Sequence, residues 1–174
     1  GLPIENASVI DYIDSRFEII GNDNEAAEDG TEIRDNNGNQ GTIHKDSDGN
    51  YYVQWSGIPI GSKGSDGKPG WSATIRIKAK ADYIGGNDVP TNADGSGITF
   101  SGNTVPFDPP RVNVKVELDI SNKEVTIYKG DVVPTDDTIL AQLFSTEYIG
   151  KYGVMEDSFT WDWYDNEGCT GDPL

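Results

Sequence analysis

Few side chains in this sequence are equipped for chemistry, and those few are scattered. His44 is the only histidine and Cys169 the only cysteine. A His-based zinc site, a Ser-His-Asp triad and an internal disulfide therefore all lack material. His44 reads as an exposed strand residue and Cys169 as a lone, inert thiol. Oxygen ligands are more plentiful. Asp46-Ser47-Asp48-Gly49-Asn50 sets oxygens at alternate positions around a glycine turn, which is half of a calcium loop with Asp46 and Asp48 as candidate ligands. Asp35-Asn36-Asn37-Gly38-Asn39 and Asn22-Asp23-Asn24-Glu25 add oxygens nearby. Calcium takes about six to eight of them, and no segment has the EF-hand spacing with its closing glutamate. Hairpin turns explain these residues at least as well. Trp161, Trp163 and Tyr164 offer faces on which a sugar could stack. Alternation puts Trp161 and Trp163 on one side of a strand and Asp162 on the other, the pattern of core aromatics. Nothing here assembles a multiple-turnover enzyme, so the chain reads as a non-enzyme.

The elements that must position such groups follow from composition. Of 174 residues only 34% are apolar, with 21 Gly and 9 Pro. Long amphipathic helices are hard to build from this material, whereas short strands joined by Gly, Asn and Asp turns are easy, so the expected class is all-β. Thirty acidic residues against 13 basic give a net charge of −17. That charge repels phosphate backbones and anionic membrane surfaces, which argues against nucleic acid as a partner. No transmembrane run is present, so membrane insertion is not expected. The absence of a signal peptide and a wall-sorting motif suggests a piece of something longer. A secreted protein without disulfides draws its toughness from packing, calcium or an unusual cross-link.

Residues 8–20 read as two short strands around a turn, followed by an acidic, Asn-rich loop over residues 21–30. Asn37-Gly38 and Asp48-Gly49 mark hairpins, the second leading into Tyr51-Tyr52-Val53-Gln54-Trp55. A main strand is expected over residues 71–79, a break at Gly85-Gly86-Asn87, and a new strand near Ile98-Thr99-Phe100. Pro106-Phe107-Asp108-Pro109-Pro110 is a short, semi-rigid linker. It divides the chain into a first domain, residues 1–108, and a second, residues 111–174. In the second, alternation predicts strands over residues 112–118, 125–128 and 159–164, and helical spacing predicts one helix over residues 136–148. At roughly 65 residues this domain lies near the lower size limit for independent folding, and it is expected to lack its final strands.

The string AKADYIGGNDVPTNADGSGI, residues 79–98, resembles one in the surface pilins and pilus-tip adhesins of Gram-positive bacteria. Two weaker features accompany it. ASVIDYIDSRFEI is similar to the strand that opens such domains after an inserted von Willebrand A module, and FDPPRVNV is similar to the lead into a following stalk domain. The resemblance covers roughly residues 1–115. It implies tandem immunoglobulin-like β-sandwich units and a structural stalk or adhesion role at the cell surface or cell wall. Implied partners are the neighbouring domains of a longer surface protein and an unidentified host protein or glycan. It also implies a cross-link, in which a lysine amine attacks an asparagine side-chain amide, ammonia leaves, and a buried carboxylic acid held neutral shuttles protons. Carried over by motif, Asn92 is the amide and Asp11 the acid, the acid being expected on the amide oxygen.

The family's lysine lies upstream of the aspartate, and no lysine precedes Lys45 here. Lys78 and Lys80 are too near Asn92 in the hairpin to replace it. Lys115 resembles a reactive lysine by position, with Asn166 the only late partner. A competing function is a carbohydrate-binding or calcium-dependent accessory module of a secreted enzyme. No other cofactor is expected.

Overall fold

The computed structural model describes residues 4–61, 71–118, 143–153, 162, 164 and 166–173. Ten strands and one short helix are seen among them: β1 (Ile4–Tyr12), β2 (Phe17–Ile20), β3 (Glu32–Arg34), β4 (Gln40–Lys45), β5 (Tyr51–Ile60), β6 (Arg76–Ala79), β7 (Gly86–Pro90), β8 (Gly97–Phe100), β9 (Asn103–Pro106), β10 (Arg111–Val114) and α1 (Thr146–Tyr152). The class is all-β. A six-stranded sheet runs β3-β4-β5-β1-β8-β9, and two two-stranded ladders, β2–β6 and β7–β10, accompany it.

Turn chemistry builds the large sheet. In the β3–β4 and β4–β5 hairpins the glycines Gly38 and Gly49 take positive φ, the left-handed conformation that side chains resist. Along β1 the period of two puts Val9, Asp11 and Ile13 on the inner face, where Val9 pairs with Trp55 and Asp11 with Val53. Ile43 and Val53 are fully enclosed there, and Phe17 and Ile19 of β2 and Val89 of β7 are also buried. Each such side chain contributes about 1.5–3 kcal/mol of burial. Gly41 on β4 makes room for the indole, since a Cβ there would lie 2.7 Å from Trp55 Nε1.

The chain divides into two compact units, Gly1–Tyr83 with Asp88–Val112, and Ile84–Asn87 with Asn113–Leu174. In the second, Glu117 N donates to Ile84 O (2.8 Å) and Ile84 N to the Tyr148 hydroxyl (3.2 Å). Helix α1 is capped by Ser145, whose hydroxyl accepts from Tyr148 N, with Glu147 in the first turn and Lys151 in the last, both favourable to the dipole. Phe144, Tyr148 and Tyr152 form a row of ring contacts.

Several boundaries differ from the sequence reading. Strand is found only over Arg76–Ala79, not from residue 71, because the Asp35 carboxylate takes the Thr74 amide (3.1 Å) and Trp71 bonds Asn39 Oδ1 (3.0 Å). The supposed break at Gly85-Gly86-Asn87 is the start of β7, paired with β10. The linker's first residue, Pro106, ends β9, which pairs with β8. The expected helix is interrupted at Phe144 and Ser145, and α1 begins only after its Ser145 cap and runs past the expected end at Tyr148. The earlier part of that helix up to residue 142, the strand over residues 125–128 and both Trp161 and Trp163 lie outside the described residues. No described helix is long and apolar enough to cross a membrane.

Candidate functional site

Asp11 enters the interior because β1 keeps its alternation through a carboxylate. Opposite it, the chain leaves β7 at Pro90 and crosses to the end of β1. Asp14 N donates to Thr91 O (3.0 Å) and Ala93 N to Tyr12 O (2.9 Å), so Asn92 bridges Ile13. This short antiparallel contact brings Asn92 over Asp11, and Asn92 Nδ2 donates to Asp11 Oδ1.

The amide oxygen has its own partner. Thr91 Oγ1 stands 2.7 Å from Asn92 Oδ1 and 3.2 Å from the Pro110 carbonyl, and its proton goes to the nearer acceptor. Ser96, buried, fixes the backbone beneath the carboxylate. Its hydroxyl accepts from Tyr12 N at 2.8 Å and bonds the Ala93 carbonyl at 2.9 Å. Burial pushes the Asp11 carboxyl above its ordinary value, offset in part by hydrogen bonds from Asn92 and Ser96. Desolvation disfavours the charged form, and here it outweighs both donors.

Two cavities meet at this pair. One, about 160 Å3, is walled by Ile13, Ile75, Ile77 and Thr91 with Asp11 and Asn92 at its polar end. The other, about 430 Å3, lies under Pro106, Phe107, Asp108 and Pro110 and reaches the same two side chains. Chemically this is an amide with a hydroxyl donor on its oxygen and a carboxyl on its nitrogen, beside the side chains of Ile13, Ile75 and Ile77. The hydroxyl polarises the carbonyl, and the carboxyl stands where a departing ammonia would collect its proton. The expectation had the acid on the amide oxygen. The structure gives that place to Thr91, whose hydroxyl donates to Asn92 Oδ1 while Asp11 takes the amide nitrogen. Neither Asp11 nor Asn92 is bonded to a lysine among the described residues.

The remaining candidates sit elsewhere. Lys115 is exposed and paired with Glu117 at 2.9 Å, which raises its pKa, first through the hydrogen bond and then through charge. A reactive amine must be neutral, so this environment works against Lys115. Asn166 donates to Thr170 O (2.8 Å) and accepts from Thr170 N (3.1 Å), closing a surface turn. Asp46 turns its oxygens inward to its own hairpin, with Oδ1 accepting from the Asp48 and Asn50 amides at 2.9 Å each. Asp48 is exposed. Among the described residues no three His, Cys, Asp or Glu side chains gather as a metal site. His44 stacks on Tyr52 at 5.2 Å, in a cross-strand row with Tyr12, and Cys169 is exposed.

Sequence reasoning missed Thr91 and Ser96. The signal was their place in Pro90-Thr91-Asn92-Ala93-Asp94-Gly95-Ser96, where hydroxyls flank the amide, but the same letters also spell a turn. Comparison with protein-family models, with curated proteins and with solved structures finds no match.

Proposed function

We propose that this chain is a structural stalk or adhesion segment of a bacterial cell-surface protein, displayed outside the cell. On this reading its units are immunoglobulin-like sandwiches and the first carries the acceptor half of a Lys–Asn isopeptide. The observation that carries the proposal is the Asp11–Asn92 contact in a cavity walled by Ile13, Ile75 and Ile77, with Thr91 on the amide oxygen. It supports the pilin and tip-adhesin resemblance at the residues where that resemblance implies chemistry.

The reaction balances without a cofactor. A neutral lysine amine attacks Asn92 Cγ, a C–N bond forms, and the carbonyl oxygen takes up negative charge beside the Thr91 hydroxyl. A proton from the amine nitrogen passes through the Asp11 carboxyl to the original amide nitrogen. The old C–N bond then breaks and ammonia leaves, so Asp11 ends as it began. A carboxyl that burial pushes toward its protonated form is suited to this relay, since it can give a proton as well as take one. The reaction happens once per molecule.

The test is an intact mass on the surface protein that contains this segment together with its upstream strand. The expected value is one ammonia below that of the linear sequence, with peptide mapping placing the branch at Asn92. Asn92→Ala and Asp11→Ala should each restore the linear mass. An unshifted mass in the unmodified protein overturns the reading.

A further inference from the structure

We infer that the cavity bordered by β2, β3 and β6 binds a sugar that carries one carboxylate, held by the guanidiniums of Arg34 and Arg76. The cavity lies within the first compact unit and shares neither Asp11 nor Asn92, so the inference does not depend on the amide chemistry.

Three stretches of chain border about 370 Å3 of space: the end of β2 with the turn after it, β3 with the start of its hairpin turn, and residues 74–76 leading into β6. Side chains bonded to backbone tie each stretch to the next. Asn22 joins the first to the second, since its Nδ2 donates to Arg34 O and its Oδ1 accepts from Arg34 N, both at 2.8 Å. Asp35 joins the second to the third by accepting from Thr74 N at 3.1 Å. Arg76 closes the ring, with Nη2 donating to Gly21 O (2.7 Å) and Nη1 to Asn24 Oδ1 (2.8 Å). A ligand entering such a frame meets groups already placed, so little ordering opposes it.

The positive charge of this frame is uncompensated. Arg34 Nη2 donates to Gln40 Oε1 (2.6 Å), so both guanidiniums are held by neutral acceptors, two amide oxygens and a backbone carbonyl. The carboxylate on the lining, Asp35, is filled from within its own hairpin and by Thr74: Oδ1 accepts the Asn37 and Asn39 amides, and Oδ2 accepts Asn39 Nδ2 and Thr74 N. Two exposed cations and one engaged anion leave the lining net positive, in a chain whose net charge is −17. A guanidinium has five N–H donors, so donors remain after one or two neutral bonds, and its best external partner is a planar oxyanion. The rest of the lining selects among oxyanions. Ile20, the register partner of Arg76, joins Ile33 and Ile75 as an apolar wall suited to the C–H face of a pyranose ring. Asn36, Asn37 and Thr74 supply groups that both give and take hydrogen bonds, as sugar hydroxyls require. A phosphate fits less well, because Asp35 opposes its second charge. The volume lies at the small end of ligand sites and suits a single ring.

The test is a titration of the 174-residue chain with its isoleucine methyls 13C-labelled and followed by NMR. The probes are glucuronate, N-acetylneuraminate, glucose and glucose 6-phosphate, each taken to concentrations on the order of 10 mM to cover weak binding. The expected result is a saturable shift of the Ile20, Ile33 and Ile75 methyls with a carboxylated sugar, at least about tenfold tighter than with glucose, since hydrogen bonds between charged groups are the strong ones. The tighter of glucuronate and N-acetylneuraminate names the source, a uronate or a sialate residue of a glycan. Arg34→Gln and Arg76→Gln should each weaken that binding by about tenfold and leave the glucose value unchanged. The Asn22 tie uses the backbone of Arg34 and not its side chain, so Arg34→Gln keeps the frame even if Arg76→Gln disturbs it. Glucose binding as tightly as the carboxylated sugars, or full affinity in Arg34→Gln, would overturn the guanidinium site. Glucose 6-phosphate binding more tightly than both carboxylates would overturn the choice of anion. No saturable shift with any probe would overturn the proposal outright.

Discussion

Asp11 and Asp35 are the same side chain used in opposite ways. Asp35 sits at the surface of the β3–β4 hairpin, where its oxygens accept from the Asn37 and Asn39 amides, from Asn39 Nδ2 and from the Thr74 amide. Those donors, the Asn39 side chain foremost, hold its pKa below the ordinary value, and Asp46 in the next hairpin is held low in the same manner. Asp11 has Asn92 and Ser96 as donors, and burial still pushes it up. An acidic count of 30 says little about which carboxylates can move a proton. The number of fixed donors and the access of water decide it: Asp35 and Asp46 are held toward the anion, and Asp11 is pushed toward the acid.

Mutations separate the two kinds of carboxylate. Asn92→Ala should abolish isopeptide formation in the parent protein, whereas Asp46→Asn should leave it untouched; loss of the ammonia deficit in both would show that general folding, not the acceptor pair, is being read. Next in size, Asp35→Ala should lower Tm more than Asp46→Ala. Asp35 also ties Thr74 to the hairpin from 39 residues away in sequence, while the bonds of Asp46 are local. Thermal unfolding at neutral pH checks the order, and equal losses would mean that the long-range bond carries nothing.

Asp11→Asn should act in the other direction and raise Tm at neutral pH. The sign follows from linkage. A carboxyl whose folded pKa lies above 3.8 favours the fold below that value and loses the contribution as pH rises through the folded pKa. Removing the charge is therefore a gain at neutral pH that should fade below pH 3.8. For Asp35 and Asp46 the stabilisation is present above 3.8 and lost as pH falls through their depressed values. Melting curves across this range separate the two kinds, and an Asp11→Asn gain that persisted in acid would contradict the burial argument. Smallest is the effect of metal removal. With Asp46 committed to its own hairpin, EDTA should leave Tm unchanged, and a clear drop would return these loops to calcium.

Much of this was legible in the sequence. Asn37-Gly38 and Asp48-Gly49 marked both hairpins because only a few residues tolerate positive φ, and the β-forming run Tyr51-Tyr52-Val53-Gln54-Trp55 marked β5. The motif placed Asp11 and Asn92 in one reaction, and the structure sets them in contact. The less legible parts are those where tertiary contacts overrule local pattern. Gly85-Gly86-Asn87 looked like a break, yet β7 begins there because Gly85 must pass against the Lys115 backbone with no room for a side chain. Residues 71–75 alternate like a strand, but the Asp35 carboxylate captures the amide at Thr74 that a ladder would have used. No local signal could show that Thr91 donates to its neighbour's amide, since the choice depends on β1 lying beneath.

That burial raises the Asp11 carboxyl above its ordinary value beside the Asn92 amide is the premise of the proposed chemistry. Its most direct test is a 13C NMR titration of the aspartate carboxyls in the intact chain, assigned through Asp11→Asn and Asp35→Asn. The expected result is an Asp11 midpoint above 3.8 with Asp35 below it. An Asp11 midpoint at or below that of Asp35 would contradict the account.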